Sequence, residues 1–173
     1  LKQILELGAE GVVIPMVCSK AGAEAAVAAC KYPPAGIRGI GAGRATHYGA
    51  EFATYLAEAN DNILVVMQIE HITAVEQIEE IVTVPGIDAL FIGPMDLSAS
   101  MGITGQTDHS DFQAAIDRVV TVANAAGIPT GMWCRNEDHT AQMVARGMQF
   151  IAYGSDASLL AGAARASVAR MRT

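Results

Sequence analysis

Two short runs carry residues whose types and spacing could do chemistry. Val65-Val66-Met67-Gln68-Ile69-Glu70 and Phe91-Ile92-Gly93-Pro94-Met95-Asp96 are apolar almost to their ends, and each closes on its only carboxylate. If both runs are parallel strands joined by a crossover helix, their C-terminal ends share one rim, and neighbouring strands stand about 4.8 Å apart. Two carboxylates so placed suit one hard divalent cation, which takes oxygen ligands at ~2.0–2.6 Å. Without a cation they would repel or share a proton. Mg²⁺ or Mn²⁺ at such a rim acts as a Lewis acid on a carbonyl oxygen, and two carboxylates suit Co²⁺ as well. Gln68 precedes Glu70 by two residues, so the period of a strand turns both to one face. The Gly93-Pro94-Met95 turn brings the N–H groups of Met95 and Asp96 to where a substrate carboxylate could sit. A plainer reading makes Glu70 and Asp96 charges at the N-termini of ordinary helices. Spacing alone leaves both readings open.

The remaining polar residues point to less. Gly39-Ile40-Gly41-Ala42-Gly43 looks like a phosphate loop, but that motif must join a strand directly to a helix, and Pro33 and Pro34 precede this one. Arg38 and Arg44 read as braces for that loop or for a subunit contact. His47, His71, His109 and His139 have no His or Cys companion at metal-ligand spacing, and no Gly-x-Ser-x-Gly elbow is present. Cys18, Cys30 and Cys134 are widely spaced among apolar residues and read as inert reduced thiols, which favours a cytoplasmic setting. Trp133 and the 8 methionines read as core or pocket lining.

The elements that must position these groups follow from the apolar pattern. Strands are expected at residues 11–17, 63–70, 89–96, 128–134 and 150–156, rich in Val, Ile, Leu and Met and nearly uncharged, as parallel strands buried on both faces are. Helices are expected at residues 21–31, 50–59, 74–82, 111–126, 138–146 and 158–172. Thr73–Glu76 and Ser110–Gln113 have the form of capping boxes, and Gly127 and Gly147 stand where left-handed C-caps belong. The opening run, residues 1–8, reads as the end of an amphipathic helix rather than as a signal peptide. Repeated βα units imply a parallel sheet with right-handed crossovers. Five strands fit a doubly wound sheet and fall short of a closed barrel.

Composition narrows the partner. The chain has 173 residues, of which 51% are hydrophobic and 17% charged, so it is no disordered chain and suits a single domain spanning residues 1–173. A net charge of −7 without a basic cluster, and 5% aromatics, argue against nucleic acid. The longest apolar runs, such as residues 63–67, are far short of the ~20 residues a membrane span needs. A small-molecule partner is the expectation that remains.

The combination Gln68-Ile69-Glu70, Phe91-Ile92-Gly93-Pro94-Met95-Asp96-Leu97-Ser98 and Tyr32-Pro33-Pro34-Ala35-Gly36-Ile37-Arg38-Gly39 resembles the HpcH/HpaI aldolase family, the metal-dependent pyruvate aldolases. Val13–Val17 and Ala152–Asp156 support the likeness, which runs over essentially the whole chain. It implies an α/β fold of the TIM (β/α)₈ barrel type, with these five strands as the fourth to eighth and the chain as the C-terminal part. Glu70 and Asp96 would bind the metal, Gln68 and Asp96 would contact substrate, and Met95 would offer its N–H to the pyruvate carboxylate. Glu6 falls at a carboxylate, commonly aspartate in relatives, that supports the family's base histidine. That histidine and the family's enolate-stabilising arginine match no residue here. The implied reaction cleaves a 4-hydroxy-2-oxoacid to a 2-oxoacid and an aldehyde, in a homo-oligomer. The alternatives are a citryl- or malyl-CoA-type lyase of the same superfamily, or a chain that only binds or assembles.

Overall fold

The computed structural model describes residues 1–172. A short helix α1 (Lys2–Glu6) leads into β1 (Gly11–Ile14), α2 (Lys20–Cys30), a long loop with a 3₁₀ turn at Arg44–Gly49, and α3 (Phe52–Asn62). Then follow β2 (Leu64–Ile69), α4 (Ile72–Glu76), α5 (Ile78–Ile81), β3 (Ala89–Ile92), α6 (Pro94–Ser100) and α7 (Ser110–Ala125). The chain ends with β4 (Thr130–Cys134), α8 (Glu137–Ala145), β5 (Phe150–Tyr153) and α9 (Asp156–Met171).

All four strand pairings are parallel, and the spatial order is β1-β2-β3-β4-β5, the order of the chain. This decides between the two architectures that strand counting left open. A doubly wound sheet reverses direction at a switch point and so covers both faces. A sheet that never reverses, with right-handed crossovers, carries all its helices on one face, as a barrel does. The fold is a curled half-barrel of five βα units, a partial TIM-barrel arrangement.

Burial follows that asymmetry. Val65, Met67, Ile69, Leu90, Ile92 and Met132 lie on the helix-covered face at 1% exposure or less. Alternate residues Val13, Leu64, Trp133 and Phe150 are exposed on the concave face. The expectation of strands buried on both faces is therefore corrected: one face is open because no crossover helix crosses it. Against the covered face, α7 presents Phe112, Ala115, Ile116, Val119, Val120 and Ala123, the spacing of a helical apolar stripe. By contrast α9 buries none of its residues, and Leu159, Leu160, Val168 and Met171 stand exposed.

Local differences from the sequence reading have local causes. The strand expected at 89–96 stops at Ile92, because Pro94, with its fixed φ, opens α6. The helix expected at 74–82 divides at Gln77, which leaves helical dihedrals (φ −101, ψ 14), with buried apolar pairs on each side. Neither expected capping box forms. His71 and His109 take the N-cap positions, each accepting the N–H two residues on through Nδ1 at 3.2 Å. The capping box that does form is Ser155 with Ser158. Gly127 and Gly147 adopt left-handed φ of 73° and 92°, as expected of C-caps. No helix among the described residues is long and apolar enough to cross a membrane.

Gly131 tests the sheet directly. It pairs with Phe91 on one side and Phe150 on the other, and a Cβ there would run into the Phe150 carbonyl oxygen. Gly131→Ala should lower the unfolding free energy by about 2–3 kcal/mol, the scale of forced overpacking, as read by chemical denaturation.

Candidate active-site rim

Glu70 follows β2 directly. The β2–β3 ladder pairs Ile69 with Ile92, and the Gly93 N–H continues it by donating to the Ile69 carbonyl at 3.1 Å. This sets Gly93 beside Glu70. A Cβ on Gly93 would lie 2.8 Å from Glu70 Cβ and Oε2 and 2.9 Å from Gln68 Nε2. Its φ of −92° is open to any residue, so the glycine is required by the close approach and not by the backbone. Gln68 and Glu70 do share a face: Gln68 Nε2 donates to Glu70 Oε2 at 2.7 Å. From the loop after β1, the Met16 N–H donates to Glu70 Oε1 at 2.9 Å.

Glu70 is 5% exposed, and among the described residues no Lys, Arg or His forms an ion pair with it. A buried carboxylate held only by neutral donors lacks the opposite charge that normally accompanies burial. A divalent cation would supply that charge, and carboxylate oxygens are the donors that Mg²⁺ and Mn²⁺ prefer. No group of three or more His, Cys, Asp and Glu able to hold a metal occurs among the described residues. An ion held by Glu70 would therefore take most of its ligands from water and substrate, as Mg²⁺ commonly does.

Asp96 and Met95 lie on the same rim but not on a strand. They occupy the first turn of α6, both exposed, after the N-cap Gly93 and after Pro94. The N–H groups of a first helical turn have no acceptor within the helix and remain free for an outside one. Ser98 anchors this turn: its fully buried hydroxyl donates to the Met95 carbonyl at 2.9 Å and accepts the Gly105 N–H at 3.0 Å.

Glu6 lies elsewhere. It ends α1, ahead of β1, and so stands at the N-terminal edge of the sheet, opposite the rim of Glu70. Its Oε1 accepts from Arg38 Nη2 at 3.1 Å and from the Tyr32 hydroxyl at 3.4 Å. Arg38 is 2% exposed, with Nη2 also 3.2 Å from the Tyr55 hydroxyl and its guanidinium 4.4 Å from the Tyr32 ring centre. Burial pushes the Tyr32 hydroxyl up to about 12, Glu6 adding to the shift and Arg38 opposing it. The glycine string packs on the same carboxylate: a Cβ on Gly43 would fall 2.9 Å from Glu6 Oε2. Arg38 thus braces the loop, as its sequence position indicates, but from inside a buried cluster that nothing in the spacing announces. A cavity of about 800 Å³ opens at this edge, lined by Leu7, Glu10, Arg44, Tyr48, Tyr55 and Leu64, and Gln68, Glu70, Met95 and Asp96 take no part in it. It is lined mainly by loop and helix-end residues.

Residues 1–163 match the HpcH/HpaI aldolase/citrate lyase family. The chain is 43% identical over 172 residues to a 4-hydroxy-2-oxo-heptane-1,7-dioate aldolase of Salmonella heidelberg (strain SL476), covering 98% of this chain and 65% of that protein. It is similar to an HpcH/HpaI aldolase/citrate lyase family protein of Burkholderia cenocepacia J2315, with TM-score 0.96 and 32% identity over 99% of this chain and 68% of that one. An HpcH/HpaI aldolase of Desulfitobacterium hafniense DCB-2 superposes with TM-score 0.87 at 33% identity, over 99% of this chain and 67% of that one. A half-barrel of sequential βα units with a carboxylate-bearing rim is the class these observations define. The chain belongs to the HpcH/HpaI aldolase/citrate lyase family, and it spans about 65% of the length of the curated relative.

Cys18 was expected to sit inert among apolar residues, but it is only half-buried, in the loop that follows β1. Burial first, and then the charge of Glu70, push its thiol above the ordinary value, so the unreactive protonated form is favoured at neutral pH. Alkylation of Cys18 by iodoacetamide should be slower at pH 8 than that of free cysteine and should still be rising above pH 9. Glu70→Gln removes the neighbouring anion, lowers the thiol's pKa and should speed the reaction at fixed pH, as peptide mass spectrometry would show.

Proposed function

We propose that the protein of which this chain forms the matched region is a divalent-metal-dependent aldolase that cleaves 4-hydroxy-2-oxoacids to pyruvate, or a close relative, and an aldehyde. The single observation that carries the reading is the buried carboxylate of Glu70, held by neutral donors and without a cationic partner, against a glycine that no side chain could replace. The 43% identity to a 4-hydroxy-2-oxo-heptane-1,7-dioate aldolase supports the substrate class.

In this reading Glu70 and Asp96 hold Mg²⁺, Mn²⁺ or Co²⁺ at the rim. A cation held there would supply Lewis acidity toward a substrate carbonyl. Gln68 uses one amide N–H to orient Glu70 and keeps its other N–H and its carbonyl oxygen for substrate. Met95, in the first turn of α6, offers its N–H to the substrate carboxylate, and Asp96 lies beside it. The exposed Met95 side chain stands next to that N–H and narrows the approach to it. We assign the proton-accepting base to no residue of this chain. The histidine that the likeness gives Glu6 to support matches no residue of this chain, and within the chain the Glu6 carboxylate accepts from Arg38 and Tyr32.

We further propose that the chain works as a homo-oligomer. The observation behind this is α9, whose 16 residues bury nothing while presenting Leu159, Leu160, Val168 and Met171 to solvent. A lone helix of that length is marginal in water and gains most of its stability from packing. Light scattering should therefore report more than one copy, and a well-behaved monomer would overturn the assembly.

Glu70→Ala and Asp96→Ala in the active enzyme should each lower metal-dependent cleavage by at least the ~100-fold that loss of a supporting residue can cost. Turnover would be followed by a coupled pyruvate assay. Activity retained at saturating metal would overturn the assignment.

A further inference from the structure

Met16 is one of three residues other than glycine with positive φ among the described residues, at 57°. The other two, His47 and Tyr48, lie in the loop at the opposite edge of the sheet. A side chain disfavours this conformation, and residues held in it mark places where the surrounding structure needs the backbone turned a particular way. Here the need is visible. Met16 follows Pro15 at the end of β1, its side chain is 58% exposed, and its burial accounts for none of the strain. The Met16 N–H, in the peptide plane that follows Pro15, donates to Glu70 Oε1 at 2.9 Å across 54 residues of sequence, and the left-handed φ lets the chain turn on to buried Val17 while that bond is kept.

Glu70 is thereby gripped from two sides, by the Met16 N–H on Oε1 and by Gln68 Nε2 on Oε2, with Gly93 packed against its Cβ. A glutamate has three rotatable bonds, and a ligand that had to find its orientation on binding would lose affinity to that freedom. Groups that hydrogen-bond a ligating carboxylate fix its orientation in advance. We propose that Met16 is a positioning residue, whose main-chain N–H, kept on Glu70 by the left-handed turn that carries the following chain away, holds the carboxylate in its cation-receiving orientation. This rests on the reading of Glu70 as a metal ligand. It assigns the role to the main chain, so the identity of the side chain matters only through the backbone conformation it permits.

The test is Mn²⁺ binding by the whole protein that contains this chain, measured from the electron paramagnetic resonance of free Mn²⁺, with folding checked for each variant by circular dichroism melting. Met16→Gly keeps the N–H and adopts positive φ freely, so it should bind like the parent despite losing the whole side chain. Met16→Val disfavours positive φ through its branched Cβ, and Met16→Pro removes the N–H, so each should weaken Mn²⁺ binding by about tenfold or more. Glu70→Gln separates the two levels of the argument. If the parent binds no Mn²⁺, or Glu70→Gln binds as the parent does, the cation reading of Glu70 falls and the role of Met16 falls with it. If Glu70→Gln loses binding while folded Met16→Val or Met16→Pro keeps it, Met16 alone is overturned. Loss of binding in Met16→Gly also overturns it, because the side chain would then be the part that matters.

Discussion

The hydrogen bond from the Gly93 N–H to the Ile69 carbonyl is the rung on which the rim is built. It carries the β2–β3 ladder one step beyond the strands and fixes Gly93 against Glu70 at a separation that leaves no room for a Cβ. With that separation set, the Glu70 carboxylate has few places to go, and Gln68 and Met16 occupy its two oxygens. Pro94 follows at once and starts α6, which sets Met95 and Asp96 on the same rim. A single main-chain contact between neighbouring parallel strands thus brings the groups of the rim into register.

The sequential strand order explains both what is buried and what is not. Because the sheet never reverses, its crossover helices pack on one side, where Ile69, Leu90, Ile92 and Met132 meet the stripe of α7. The other side carries Val13, Leu64, Trp133 and Phe150 in the open. Parallel strands place their C-terminal ends together, so the polar residues gather at one edge. The loops that return to the sheet gather at the other, where Glu6, Tyr32, Arg38 and Tyr55 form a partly buried polar cluster. The two edges differ in charge pairing: Glu70 has no ion-pair partner among the described residues, while Glu6 is paired with Arg38.

The position of Glu6 shows how family likeness and geometry differ in what they carry. The likeness assigns it to the support of a histidine that matches no residue of this chain. Within this chain its partners are a guanidinium and a tyrosine hydroxyl contributed by the Tyr32–Gly39 stretch, the same stretch that helped to establish the likeness. The glycines of that stretch and beyond it resemble a phosphate loop in sequence, yet here Gly43 packs beside the Glu6 side chain, a Cβ on it falling 2.9 Å from Oε2.

Much was legible in the sequence alone. Five apolar runs alternating with amphipathic segments determined the βα units, because period and length of apolar patterning are local properties. Gln68 and Glu70 on one face followed from the two-residue period of a strand, and Gly127 and Gly147 from the conformational freedom of glycine at a helix end. Strand order was not legible, since five βα units are compatible with a reversing or a non-reversing sheet, and only the full sequential order β1-β2-β3-β4-β5 excluded reversal. Nor were the two histidine N-caps, the burial of Arg38 on Tyr32, or the left-handed Met16 that reaches Glu70 from 54 residues away. These depend on which backbone groups meet in space, and a linear pattern records the type of a residue but not its distant neighbours.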